Sequence, residues 1–281
     1  MKRWIIGLAL AVAVVRPAAA QPGLFDLHVH FHRGEESLRA YEAQLRADGL
    51  AVTGYGAMWF GGPNQAATGN PAAIRAGNDA LLSLARKHPA MLPVATVHPY
   101  DGEAALAELT RVAGLGVKLL KIHAHTQRFD NADPRVLAVA KKAGDLGVVV
   151  LMDNANILPG DNEKLFNLAL AAPKTKFIFA HMGALNFRFW NILKGARTAE
   201  NLFGDNIYFD ISATVAIVAD SPIEDEFVWT IRNVGVEHVL LGSDYPQFSL
   251  KQNVDALNAL PLTDAEKAKI AGENAAKLFG R

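Results

Sequence analysis

The sequence predicts a single (β/α)8 TIM barrel with an extra C-terminal helix. Three observations lead there. Short apolar runs alternate eight times with amphipathic stretches along the chain. The runs are almost continuous in Val, Ile, Leu and Phe, the pattern of strands buried on both faces of a parallel sheet. Once a 20-residue leader is set aside, 261 of the 281 residues are left, close to the roughly 250 that one such barrel needs. A doubly wound open sheet is the rival, but it calls for a glycine-rich phosphate loop after the first strand, where this chain has His30-Phe31-His32.

The eight runs are 24–30, 51–60, 91–98, 117–123, 148–153, 176–181, 206–212 and 238–244. Between them the apolar spacing is helical, as in Leu38, Tyr41 and Leu45. Asp133-Pro134 places a capping acid before a first-turn proline. Ser221-Pro222-Ile223-Glu224 and Thr263-Asp264-Ala265-Glu266 both have the spacing of a capping box, the second at the start of the last helix. Gly49, Gly116 and Gly147 stand just before strands, where a helix must end and the chain turn back.

Residues 1–20 have the features of a signal peptide, and residues 21–281 then form one catalytic domain. Lys2 and Arg3 precede an apolar run from Trp4 to Val15, and Ala18-Ala19-Ala20 offers small residues for cleavage. The run is shorter than the roughly 20 residues of a spanning helix, so no stable membrane anchor is expected. The chain is expected to be exported, to the periplasm. It contains no cysteine, and the part after residue 20 has 25 basic against 28 acidic residues. Such a balance without a basic run excludes nucleic acid and anionic membranes as partners. A small-molecule substrate is the expected partner, with self-association left open.

In barrels of this kind chemistry sits at the C-terminal ends of the strands. Those ends supply His28 and His30, then Lys121 and His123, then Asp153, His181 and Asp244. Asp153 follows Val148-Val149-Val150-Leu151-Met152, and Asp244 follows Val239-Leu240-Leu241-Gly242-Ser243. A carboxylate ending so apolar a run needs a compensating partner, and a cation at the mouth serves both. In Asp26-Leu27-His28-Val29-His30, strand alternation is expected to put all three polar residues on one face, with the two imidazoles gripping one metal ion.

These segments resemble the amidohydrolase superfamily, specifically its amidohydrolase-related branch, which includes aminocarboxymuconate-semialdehyde decarboxylase. The likeness lies in Asp26-Leu27-His28-Val29-His30, Phe179-Ala180-His181-Met182-Gly183, Leu241-Gly242-Ser243-Asp244-Tyr245-Pro246, the stretch from Asn206 to Ser212, and the tail from Thr263 to Phe279. The resemblance implies that His28, His30 and Asp244 bind one divalent metal, most often zinc. It also implies that His181 and Asp244 take part in the reaction. A metal lowers the pKa of bound water towards about 7, and Asp244 is suited to take that water's proton.

The fifth strand departs from the pattern. Where the family commonly has a metal-binding His, this chain has Asp153. Asp153 is expected as a fourth ligand, in a two-His, two-Asp set that admits manganese more readily. Its alternatives are a metal-free catalytic or substrate-binding role, as in the branch's 2-pyrone-4,6-dicarboxylate lactonase, or a structural one. His123, Lys121, Trp59, Arg128 and Arg188 are the expected substrate contacts, the arginines through bidentate pairing with a carboxylate. His32 and His98 are expected as loop and packing residues. The expected activity is metal-dependent hydrolysis of a small amide, ester or lactone. A non-oxidative decarboxylase is the alternative, and a metal-independent lactonase-like enzyme or a non-catalytic variant are further ones.

Overall fold

The computed structural model describes residues 23–281; the expected leader, residues 1–20, lies outside the described residues. Eight strands form one sheet in sequential order, every neighbouring pair parallel. They are β1 (Leu24–His30), β2 (Val52–Met58), β3 (Met91–Ala95), β4 (Leu119–Ile122), β5 (Val149–Asp153), β6 (Phe177–Ala180), β7 (Ile207–Asp210) and β8 (Val239–Leu240). β8 is only two residues long, and the chain beyond it completes the closure onto β1. Leu27 N–H donates to Leu241 O, His30 N–H to Tyr245 O and Asp244 N–H to His28 O, at 3.1, 2.8 and 2.8 Å. This is the expected barrel. Among the described residues no helix is long and apolar enough to cross a membrane.

Helices cover the barrel: α1 (Glu35–Ala47), α2 (Pro71–Ala85), α3 (Glu103–Gly114), the single turn α4 (Ala124–Gln127), α5 (Pro134–Asp145), α6 (Asp161–Ala171), α7 (Ile192–Ala196), α8 (Thr214–Val218), α9 (Glu224–Val234) and α10 (Leu250–Ala259). The extra C-terminal segment runs through α11 (Asp264–Ala268) and a π turn into α12 (Asn274–Phe279). It docks on the end of the barrel, with Asn274 Nδ2 donating to Val239 O and Leu241 N–H donating to Ile270 O. Asp133 and Thr263 cap their helices as expected, and Thr263 with Glu266 closes a capping box. Ser221 does not cap α9. Its hydroxyl accepts from Ile223 N–H inside the preceding turn, and Glu224 bonds back to Asp220 N–H. Ser249 and Gln252 form a second box at the start of α10.

Strand side chains of one parity pack with the helices; those of the other pack with one another inside the barrel. Along β5, Val150 and Met152 belong to the outer layer, while Val149 and Leu151 belong to the inner cluster with Leu92, Leu119 and Ile178. The next inward position on each strand is where the apolar filling stops and the polar mouth begins. It holds Lys121 after Leu119, Asp153 after Leu151 and Asp210 after Tyr208.

β1 breaks its own alternation. Asp26 pairs with Tyr55 and Val29 with Ala57, so β1 advances three residues where β2 advances two. The extra residue of such a bulge turns the following side chains over. Phe25 and Leu27 therefore face inward and Val29 faces the helices, while His28 and His30 both enter the mouth. The expectation that Asp26 shares their face is corrected. Its carboxylate accepts from Tyr41 Oη of α1 (2.9 Å), from Ser243 N–H (2.7 Å) and from His28 N–H (3.3 Å). It ties the bulge, α1 and the chain after β8 together from behind the site.

Candidate active site

The first-strand histidines are set by what holds their far nitrogens. His28 Nδ1–H donates to Asp210 Oδ2 at 2.7 Å, and His30 Nδ1–H donates to the Phe60 carbonyl at 2.8 Å. Each ring thus turns Nε2 towards the mouth, 3.2 Å apart, and Asp244 Oδ1 lies 3.5 Å from the first and 3.4 Å from the second. Among the described residues these three are the group of His, Asp and Glu whose ligand atoms lie mutually within 4.8 Å. Burial and Lys121 push His28 well below the usual imidazole range, so its Nε2 presents a lone pair. Burial pushes Asp244 up, but His28, His30 and His181 outweigh it and hold the carboxyl well below the usual range.

This arrangement fits a divalent ion. Two imidazole nitrogens and a carboxylate oxygen gathered this closely, with both Nδ1 atoms already engaged, form a donor set that a cation can bridge. The edges also match: ligands at about 2.1 Å in a tetrahedron lie about 3.4 Å apart. Asp210, which fixes the His28 ring from behind, accepts further from Ser212 N–H (2.7 Å) and Ser212 Oγ (2.9 Å), and burial raises its pKa. Such an outer carboxylate sets ring orientation and tautomer.

The other half of the mouth is built around Asp153. Its Oδ1 lies 3.5 Å from His123 Nε2 and 3.6 Å from His181 Nε2, and it stands outside the His28, His30, Asp244 trio. Burial raises the Asp153 carboxyl, but His123, His181 and Lys121 together bring it below the usual range. His123 is pushed down to about 4, chiefly by burial. Its Nδ1 accepts from Thr126 N–H at 3.5 Å, which leaves Nε2–H facing Asp153. His181 Nδ1–H donates to the Ser212 carbonyl at 3.0 Å, leaving Nε2 as the ring atom open to a proton on the pocket side. Its ring also stacks on His28, with centroids 5.2 Å apart.

Lys121 rises from the floor between the two halves. It is 1 % exposed, and its Nζ stands 3.4 Å from His28 Nε2. Burial lowers its pKa, against the pull of Asp153, Asp210 and Asp244. One ammonium facing three carboxylates leaves the floor short of positive charge, a second reason why a dication suits it.

Several sharp backbone features serve this geometry. His181 (φ 63°) and Asp244 (φ 61°) lie in the left-handed region, a conformation that non-glycine residues hold only where the surroundings impose it. A Cβ on Gly242 would stand 2.6 Å from Asp210 Oδ1 and 2.9 Å from His28 Cβ. Gly242→Ala is therefore expected to displace the Asp210–His28 pair and weaken metal binding about 10- to 100-fold. Titration of the variant with zinc or manganese checks this; an unchanged affinity would detach Asp210 from the centre.

All the strand-end residues singled out from the sequence border one cavity of ≈ 510 Å³, within the roughly 300–1,000 Å³ usual for small-molecule sites. His28, His30, Lys121, His123, His181 and Asp244 line it, together with Asp153. Three expected substrate contacts lie elsewhere. Trp59 Nε1–H donates to Asn78 beneath α2, and its ring packs on Gly77, because the loop after β2 folds back to hold His30 through Phe60. Arg128 borders a neighbouring cavity beside α6, and Arg188 is bound to Glu226 of α9 at 2.6 Å. Two contributors were not expected. Asp210 ends the apolar run Ile207-Tyr208-Phe209, the same signal that marked Asp153. His32 stacks on His30 at 5.5 Å and reaches the cavity. His98 is a packing residue, bonded to Gln127 O.

The family model described as Amidohydrolase matches residues 25–281. No protein in the curated set matches the chain. Among solved structures it is similar to 5-carboxyvanillate decarboxylase from Sphingomonas paucimobilis, at 18% identity and TM-score 0.71, covering 92% of this chain and 99% of that one. It is similar to 2,6-dihydroxybenzoate decarboxylase from Rhizobium at 20% identity and TM-score 0.68, covering 92% and 98%. It is also similar to the 5-carboxyvanillate decarboxylase of Novosphingobium aromaticivorans, complexed with manganese and a nitrobenzoic acid, at 17% identity and TM-score 0.67, covering 92% and 96%. At these identities the likeness is one of fold, and it extends over the whole barrel. With a family match that takes in every strand and every residue of the His28, His30 and Asp244 centre, the chain belongs to the amidohydrolase family.

Proposed function

We propose that this protein is a metal-dependent, non-oxidative decarboxylase of a small carboxylic acid. The observation that carries the reading is Lys121. A buried ammonium beside the metal-binding atoms suits a substrate that brings its own carboxylate, a stronger partner than the carbonyl oxygen of a neutral amide or ester. Several of the similar solved structures are those of decarboxylases, which supports the same choice. Hydrolysis of a carbonyl compound, the leading expectation from sequence, becomes the second reading.

His28, His30 and Asp244 would hold the ion, with Asp210 fixing the His28 ring. Two imidazoles and a carboxylate suit zinc, and also manganese, the ion carried by the Novosphingobium enzyme. Bound there, the ion would supply Lewis-acid charge for an oxygen of the substrate. Lys121 pairs with the substrate carboxylate on the floor. When the bond from carbon to carboxylate breaks, carbon dioxide leaves and the electron pair stays on carbon, which must then take up a proton. His181 Nε2 is the atom positioned to carry that proton, since Nδ1 is committed to the Ser212 carbonyl. Asp153 orients His181 and His123 rather than completing the ligand set.

The test is product analysis. The manganese-loaded protein is incubated with hydroxylated benzoic acids labelled with 13C in the carboxyl group, and labelled carbon dioxide is the expected product. Turnover of lactones or esters with no carbon dioxide from any acid would return the assignment to hydrolysis. We propose from residues 1–20 that the protein is exported to the periplasm, and N-terminal sequencing of the periplasmic fraction should begin at Gln21.

A further inference from the structure

We propose that the substrate has one anionic head and an uncharged, apolar body, and that a second carboxylate at its outer end is rejected. The charges in the cavity are layered. Lys121, among the described residues the only lysine or arginine bordering it, stands on the floor at 1 % exposure. Further out, large apolar side chains join the wall beside the uncharged Gln247. Ile157, after β5, and Ile217, in α8 after β7, keep 57 % and 53 % of their surface exposed, and both border the cavity with Phe248. Large apolar side chains left open at the mouth of a polar cavity are surface for a ligand to cover.

Among the described residues no second lysine or arginine is within this lining to meet another carboxylate. Arg128 faces the adjacent cavity and Arg188 is taken by Glu226. A carboxylate placed against Ile157 and Ile217 would give up water for apolar side chains, and the uncharged donors of the lining, such as Gln247 and Thr214, bring no charge to offset that loss. A head of one carboxylate, carried on a ring or a chain of similar polarity, meets Lys121 below and the isoleucines above.

The proposal takes its head-group placement from the decarboxylase reading, and its test separates the two. Calorimetry on the manganese-loaded protein compares 2-hydroxybenzoate with 2-hydroxyterephthalate, which share a head and differ by one distal carboxylate. The wild type is expected to bind the first at least about tenfold more tightly, a difference that selective rejection of a charge readily supplies. Ile217→Arg, at an exposed position where folding is not at stake, is expected to erase or reverse that preference. Ile157→Lys provides a second, independent reading of the same effect. Equal or tighter binding of the dicarboxylate by the wild type overturns the proposal, as does binding of neither or an unchanged ratio in both variants. Carbon dioxide release is scored separately. Its absence alongside an intact tenfold preference removes the reaction and leaves the charge rule standing, whereas equal turnover of both acids does the opposite.

Discussion

Asp244→Asn and His28→Ala are each expected to abolish stoichiometric metal binding and to lower turnover by at least about 10³-fold, since a bound ion contributes several kcal/mol to charge stabilisation and each 1.36 kcal/mol is about tenfold. The fold should survive both changes. Asp244 approaches His28 and His30 at 3.4 to 3.5 Å, and replacing its carboxylate by an amide preserves shape while removing the charge that binds the cation. His28→Ala also strips Asp210 of its imidazole donor, so it should be the less stable of the two. Elemental analysis after dialysis, paired with steady-state rates, is the measurement. A variant that keeps one equivalent of metal would place the ion elsewhere in the mouth, with Asp153 the first residue to suspect.

Lys121→Met should have opposite effects on the two ligands. The ammonium lies 3.4 Å from His28 Nε2, and a unit charge at about 4 Å is worth roughly 4 kcal/mol at an effective dielectric of about 20. Removing it relieves repulsion on an incoming dication, so zinc or manganese should bind more tightly. On the proposed reading a carboxylate substrate loses its partner on the floor, and KM should rise by about 10- to 100-fold, the scale of one charge-assisted hydrogen bond. Without metal, the variant leaves Asp153, Asp210 and Asp244 with only their histidine and serine partners and should be destabilised by about 3–5 kcal/mol. Melting curves with and without the ion would then diverge more than in the wild type. Weaker metal binding with KM unchanged would reassign Lys121 to holding the centre together and would remove the main support for an anionic substrate.

The barrel and the general location of the site were legible in the sequence because both rest on local patterns. Buried parallel strands must be apolar throughout, and a charge that ends such a run must face the one polar opening available to it. That reasoning located His28, His30, Lys121, His123, Asp153, His181 and Asp244, and the family resemblance assigned the metal centre among them. Applied to Ile207-Tyr208-Phe209-Asp210, the same rule would also have found the partner of His28. The direction of Asp26 was beyond its reach, because a bulge is a mismatch between two strands and exists only once β1 lies beside β2.

What the sequence by itself determined was the inventory: eight strands, the mouth they share, and the acids and imidazoles delivered to it. Only the tertiary structure decided how that inventory is divided. It placed Asp153 between His123 and His181 and apart from the His28, His30 and Asp244 group, and drew Trp59 and Arg188 away to Asn78 and Glu226. The physical reason is that each of these choices is a competition between partners distant in the chain, settled by distances of a few ångströms at which charges and hydrogen bonds act, and no one-dimensional spacing contains those distances.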